Sequence, residues 1–253
     1  MKEKVVIVTG GSSGMGKAMA IKFAKEGAFV VITGRTLERL EEAKKEIEQV
    51  NGQILCYQMD VRDPDNVHNM VRTTKDTFGK IDFLINNAAG NFLCPAEELS
   101  NNGWHAVIDI VLNGTWYCSQ AVGKEWIASN QKGSILNIVA TYAWTSGAGV
   151  IHSACAKAGV LAMTRTLAVE WGSKYGISAN AIAPGPIENT GGFDRLIPSS
   201  SEAYQQKINS IPARRFGQPE EVANLAYFLL SPQSDYINGE CITIDGGQWL
   251  NRK

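Results

Sequence analysis

The residues of this sequence best equipped for chemistry gather around one lysine. Lys157 sits among Ala154, Ala156, Ala158 and Gly159. Side chains this small would let a helix lie close against a flat surface while one long cation reaches out of it. Ser153 precedes the lysine by four residues, which puts both on one helical face. A tyrosine at that position would be the obvious proton donor, and none is there. The nearest upstream tyrosine is Tyr142, fifteen residues before Lys157, just past the strand-like run at residues 134–139. An ammonium, a hydroxyl and a displaced phenol are equipment for stabilising a developing negative charge and handling a proton.

A second constellation lies near the start of the chain. Val5-Val6-Ile7-Val8 is apolar on both sides, as a buried parallel strand should be, and Thr9-Gly10-Gly11-Ser12-Ser13-Gly14-Met15-Gly16 leads from it into a helical pattern. Gly10 permits the turn, Gly14 close backbone approach and Gly16 tight helix–sheet packing; Ser12, Ser13 and Met15 complete the turn. The helix N-terminus then faces a pyrophosphate. A glycine cluster alone marks only a tight turn; between a strand and a helix it marks a dinucleotide site. The end of the second strand selects the nucleotide. NAD sites usually place a carboxylate there for the ribose 2′-hydroxyl, but Thr33-Gly34-Arg35-Thr36 offers an arginine and no acid, which suits a 2′-phosphate and predicts NADPH. Asp60 and Val61 follow the third strand, where a carboxylate can reach the adenine amino group, and Asn87, in Asn86-Asn87-Ala88-Ala89-Gly90, follows the fourth.

These residues need a scaffold, and hydrophobic periodicity describes one. Strand signals fall at residues 5–8, 29–33, 53–57, 82–85, 134–139, 178–183 and 241–244, and helical patterns at 15–26, 37–50, 64–78, 104–129, 153–172 and 219–230. Such alternation predicts a single α/β domain: a doubly wound, seven-stranded parallel sheet of the Rossmann type with helices on both faces. The nucleotide residues then fall at strand carboxyl ends, the edge where such sheets bind ligands. The exception to the rhythm is residues 184–212, rich in Pro, Gly, Ser and Asn. So long an irregular connection is expected to be a substrate lid.

Whole-chain properties exclude several classes of function. At 253 residues the chain can bury a substantial core, and 44% hydrophobic with 19% charged residues is ordinary for a soluble domain. A net charge of −1 gives no general basic field to attract nucleic acid or an anionic membrane, and no apolar run approaches membrane-spanning length. The five cysteines form no C-x-x-C pair, as in a reducing compartment, and the three histidines show no metal spacing. The first strand starts too early to leave room for a signal peptide, and Asn251-Arg252-Lys253 is not a peroxisomal address; a cytoplasmic location is expected.

Taken in order, the T-G-x-x-x-G-x-G turn, Asn86-Asn87-Ala88-Ala89-Gly90, the lysine helix, Pro184-Gly185-Pro186-Ile187 and Asp245-Gly246-Gly247 resemble the short-chain dehydrogenase/reductase family over nearly the whole chain. The catalytic pattern departs from the usual one. Ser153-x-x-x-Lys157 stands where members carry Tyr-x-x-x-Lys, Ala140 where a strand-end serine is usual, and Val111 where a helix asparagine is usual. One branch, the 2,4-dienoyl-CoA reductases, is similar at these points. It shares Asn87-Ala88-Ala89-Gly90-Asn91-Phe92, the run from Asp109 to Thr115, a tyrosine fifteen residues before the lysine, and the Ser153–Gly159 pattern.

The resemblance implies hydride delivery to the far carbon of a conjugated dienoyl thioester, with charge moving onto the thioester oxygen. It assigns Tyr142 and Asn91 as donors to that oxygen, with a proton returning at the α carbon from Tyr142 or from water. Lys157 would bind the nicotinamide ribose and Ser153 would hydrogen-bond the cofactor or the lysine; Pro184, Gly185 and Ile187 would join the cofactor wall. Arg62, Phe92, Ser100 and Arg195 would line the path of an acyl-CoA. A homotetramer and a place in unsaturated fatty-acid β-oxidation are likewise implied. Two other readings stay open on the residues: a 3-oxoacyl or other carbonyl reductase using Tyr142 unconventionally, and a catalytically silent NADP-binding sensor or scaffold. Chain length, diene geometry and product double-bond position are also open.

Overall fold

Burial on both faces explains the apolar runs. The structure is a computed structural model and describes residues 1–50, 52–196 and 201–251. Strand β1 (Val5–Thr9) is buried along its whole length. Its alternate residues serve opposite faces: Val6 and Val8 pack into one core with helix α1 (Gly14–Lys25), while Val5 and Ile7 pack into another with helix α3 (Pro64–Phe78). Strands β2 (Phe29–Gly34), β3 (Gln53–Gln58), β4 (Phe83–Asn86), β5 (Ser134–Ile138), β6 (Ser178–Pro184) and β7 (Cys241–Ile244) complete a parallel sheet ordered β3-β2-β1-β4-β5-β6-β7. Ile7 lies between Val31 of β2 and Leu84 of β4. The order reverses between β1 and β4, which opens the ligand-binding crevice at their carboxyl ends.

Helices α2 (Leu37–Glu48), α4 (Asn101–Ile108), α5 (Gly114–Ala128), α6 (Ile151–Tyr175), α7 (Gly191–Leu196), α8 (Ser201–Ser210) and α9 (Pro219–Leu229) complete the described elements needed here. The boundaries of α3 match the sequence pattern because both ends are chemically marked. Asp63 accepts the backbone N–H groups of Asp65 and Asn66, Pro64 takes the first turn, and Gly79 closes the helix at φ 78°.

Two expectations need correction. The helix expected at residues 104–129 starts earlier and is interrupted: α4 and α5 are separated by a π-helical turn, Asp109–Asn113. Gly114 there meets the turn after β3, where a Cβ would come within 2.7 Å of Val61. The lid is not irregular, since α7 and α8 lie within it. Phe193 and Tyr204 from these helices pack edge-on against Phe216, at centroid distances of 4.9 and 5.0 Å, and this aromatic cluster orders the segment despite its loop-like composition. Residues 197–200 of the lid, Asn51 at the expected close of α2, and Arg252 and Lys253 lie outside the described residues.

Candidate active site

A cavity of about 570 Å³ runs along the carboxyl edge of the sheet, from Arg35 beyond β2 to Gln248 beyond β7. Its nucleotide half is built by the β1–α1 turn. Gly10 and Gly14 adopt φ values of +64° and +52°, and a Cβ on Gly10 would meet Ala88 Cα at 3.0 Å. Gly16 lies behind the wall, where a Cβ would strike the Gly10 carbonyl oxygen and the Asn87 amide. Asn87 is committed to holding this turn: its Nδ2 donates to the carbonyls of Thr9 and Gly10 at 3.0 and 3.1 Å, and its backbone N–H reaches Thr9 Oγ1 at 3.0 Å.

The residues fit a nicotinamide dinucleotide. The first turn of α1 has no side-chain cap and no acid, so its N–H groups face the cavity beside Ser12, Ser13 and Met15 uncompensated. Thr33 Oγ1 is buried without a partner at the end of β2, beside the cavity wall. Arg35 is exposed at the cavity's edge, and Arg39, in the first turn of α2, joins it. Asp60 and Val61 line the same wall, and Arg62 holds the Asp60 carboxylate from two nitrogens, the shorter bond being 2.6 Å, which keeps the carboxyl below its usual pKa. Pro184, Gly185 and Ile187 form the opposite wall, and Gly185 passes so close to β7 that a Cβ would lie 2.6 Å from Asp245 Cβ.

The displaced phenol proves to be close to the lysine helix. The 3₁₀ turn Thr141–Ala143 after β5 carries Tyr142 toward α6, and its hydroxyl lies 3.1 Å from Ser153 Oγ. Asn91, in the loop after β4, donates its Nδ2 to the same hydroxyl at 3.4 Å, while its Oδ1 accepts the Phe92 backbone N–H at 2.9 Å. Burial pushes the Tyr142 phenol above its ordinary pKa, and the bonds to Ser153 and Asn91 oppose that rise. The phenol therefore stays protonated and able to donate at neutral pH.

Lys157 is 7% exposed, and its Nζ donates to the Ile138 carbonyl oxygen. Desolvation pulls its pKa from 10.5 down to about 8. Below about pH 8 folded and unfolded chains both hold the proton, and the cost of burying a charge is fully present. Above it the folded state has released the proton while the unfolded chain still binds it, so stability rises with pH up to the ordinary lysine range. Urea melts at the two ends of that window should differ by on the order of 3 kcal/mol more in the wild type than in Lys157→Met, at about 1.36 kcal/mol per pKa unit. Equal pH dependence in the two proteins would contradict this origin.

The expected acyl-CoA residues divide. Arg62, Phe92 and Arg195 line a second hollow together with Arg35, Ala106, Val107 and Ile110, and Arg195 also borders the main cavity. Ser100 lies on neither wall; it caps α4 by accepting the Gly103 N–H at 3.1 Å, which explains a serine just before that helix. Val111 is 1% exposed and packs in the core, its carbonyl accepting the Thr115 hydroxyl at 2.6 Å. Sequence reading missed Arg39, Leu93, Thr190, Phe193 and Gln248, all on the main wall. Only Arg39 had a readable signal, as a second arginine in the first helical turn after Arg35. Among the described residues no group of three His, Cys, Asp or Glu is placed to hold a metal ion.

Residues 10–248 match the family model described as Enoyl-(Acyl carrier protein) reductase. The chain is 62% identical to a protein of Bacillus subtilis named "Probable 2,4-dienoyl-CoA reductase [(2E)-enoyl-CoA-producing]", over 99% of this chain and 98% of that one. It is 41% identical to the "Peroxisomal 2,4-dienoyl-CoA reductase [(3E)-enoyl-CoA-producing]" of Danio rerio, over 99% of this chain and 83% of the relative. The crystal structure of a short chain dehydrogenase from Bacillus anthracis superposes with a TM-score of 0.91 at 64% identity, covering 99% of this chain and 98% of that one.

Proposed function

The chain belongs to the short-chain dehydrogenase/reductase family, and from that premise we propose that it is an NADPH-dependent 2,4-dienoyl-CoA reductase. The observation that carries the reading is the phenol of Tyr142 held between Ser153 and Asn91, supplied by the turn after β5 and not by the residue four before Lys157. The nicotinamide, when bound, supplies a hydride to the distal diene carbon. Charge arriving on the thioester oxygen meets donors already in place: Ser153 satisfies one side of the Tyr142 hydroxyl, leaving the phenol proton for the substrate, and the remaining Asn91 N–H joins it. A protonated phenol is required for this, and burial keeps it so. Lys157, anchored on Ile138, reaches the nicotinamide ribose and places a cation beside the reacting centre.

The preference for NADPH follows from charge at the far end. Arg62 neutralises Asp60, so Arg35 and Arg39 leave the adenosine wall positive. Arg62, Phe92 and Arg195 are read as the acyl-CoA path and α7–α8 as its lid; Ser100 supports that path through α4. Exposed Trp116 on α5, and Val169 and Tyr175 on α6, suit burial against further copies in a homotetramer. Five cysteines outside any disulfide fit a cytoplasmic enzyme of unsaturated fatty-acid β-oxidation.

With the donors at the oxygen, return of the proton to the nearer α carbon would leave a 3-enoyl thioester, the product named for the Danio rerio relative. Return at the farther γ carbon would leave the 2-enoyl product named for the Bacillus subtilis relative. A reaction run in deuterium oxide should place deuterium at the α carbon, read by NMR of the product. Deuterium at the γ carbon would remove Tyr142 and its neighbours from the proton transfer.

A further inference from the structure

His152 takes no part in the scheme above, yet it is fully buried in the first turn of α6 and touches the site on two sides. Its Nδ1 accepts the Ser153 backbone N–H at 2.8 Å. That N–H belongs to the first helical turn, where the helix supplies no carbonyl partner. The imidazole ring also meets the Phe92 ring edge-on, with centroids 4.5 Å apart and planes at 88°. From Phe92 the contacts return to the phenol. The Phe92 N–H holds Asn91 Oδ1, Asn91 Nδ2 faces the Tyr142 hydroxyl, and that hydroxyl meets Ser153 Oγ. His152, Phe92, Asn91, Tyr142 and Ser153 thus form a closed circuit.

Packing alone does not account for an imidazole here. With Nδ1 accepting, the ring proton sits on Nε2, and Nε2 is buried without a partner. An unpartnered buried N–H is costly, and an apolar side chain of similar size would avoid it. What the imidazole offers that an apolar side chain lacks is the acceptor at Nδ1.

We propose that His152 is a positioning residue for the donors that receive the thioester oxygen. It fixes the start of α6, which carries Ser153, against the loop that carries Asn91, so that both reach the Tyr142 hydroxyl together. The circuit stands on its own contacts; what it serves rests on the reductase reading.

Two substitutions separate positioning from packing. Asparagine keeps an oxygen acceptor near the place of Nδ1, and leucine does not. His152→Leu should lower kcat with a dienoyl-CoA about tenfold while both KM values stay within about twofold, and His152→Asn should recover most of the loss. In a Tyr142→Phe background the leucine change should have no further effect on kcat, because the circuit is already cut. A second measurement needs no substrate: titration of the Tyr142 phenol, read as tyrosinate absorbance against each protein's Tyr142→Phe counterpart. The bonds from Ser153 and Asn91 hold that pKa below where burial alone would put it, so leucine should raise it and asparagine should not. Should the leucine protein not fold, phenylalanine is read in its place. Wild-type kcat and titration in the leucine protein, or asparagine no better than leucine, would overturn the proposal. A titration that moves as expected in a protein that does not reduce dienoyl-CoA would support the circuit and refute the reaction instead.

Discussion

Tyr142→Phe should cut kcat for dienoyl-CoA reduction by about 10²–10³-fold, the usual cost of removing one oxyanion donor. Removing a hydroxyl changes little volume, so the ring should keep its place after β5 and KM for NADPH should hardly move. The effect is expected to be large because one atom does two jobs. The hydroxyl accepts from Asn91 Nδ2 and meets Ser153 Oγ. Its loss removes a donor to the thioester oxygen and also strands the groups that aimed it, in a buried place where unpaired polar atoms are costly. Single-turnover kinetics on the purified variant would separate the chemical step from binding. A kcat within a few-fold of wild type would make Tyr142 a loop aromatic.

At the other end of the cavity, Arg35→Ala should weaken NADPH binding by about 10–100-fold while leaving NADH almost unaffected. Hydrogen bonds to charged groups are worth about 1.5–3 kcal/mol, and each 1.4 kcal/mol is a factor of ten. Arg35 is exposed, its carbonyl accepting Gln58 Nε2 at 2.9 Å, so its side chain serves no core that truncation would damage. Arg39 remains, so the fall should be less than complete and deepen in the double variant. Titration calorimetry with each nucleotide at fixed salt would show it; equal losses for NADPH and NADH would remove Arg35 from the choice between them.

The scaffold was legible wherever one physical cause governed the pattern. Two-sided burial wrote β1 and β4 as plain apolar runs, and capping chemistry wrote both ends of α3. The π turn was hidden because Asp109–Asn113 interrupts the hydrogen-bond ladder without interrupting the apolar pattern. The start of α4 was hidden because Asn101, Asn102 and Gly103 are poor helix formers, overridden by the Ser100 cap. The lid helices were masked by composition and ordered by aromatic contacts far apart in sequence.

For the site, spacing identified Tyr142 as the phenol to follow but could not show that Asn91 and Ser153 meet it. Those three come from the ends of two strands and the start of a helix, and only the sheet order β4-β5-β6 makes them neighbours. His152 left no trace at all. Its bond to Ser153 is a ring-to-backbone contact between adjacent residues, which no periodicity encodes. Asp60 was readable as a carboxylate at a strand end, but its capture by Arg62, two residues on, was not.

The central claim is that Tyr142 and its partners receive a thioester oxygen during reduction of a diene. Its most direct test is NADPH consumption by the purified protein, offered 2,4-hexadienoyl-CoA and, separately, acetoacetyl-CoA. Steady oxidation with the dienoyl thioester and little with the ketone is the predicted result. Oxidation with the ketone alone would assign the site to carbonyl reduction, and oxidation with neither would leave a nucleotide-binding protein without this chemistry.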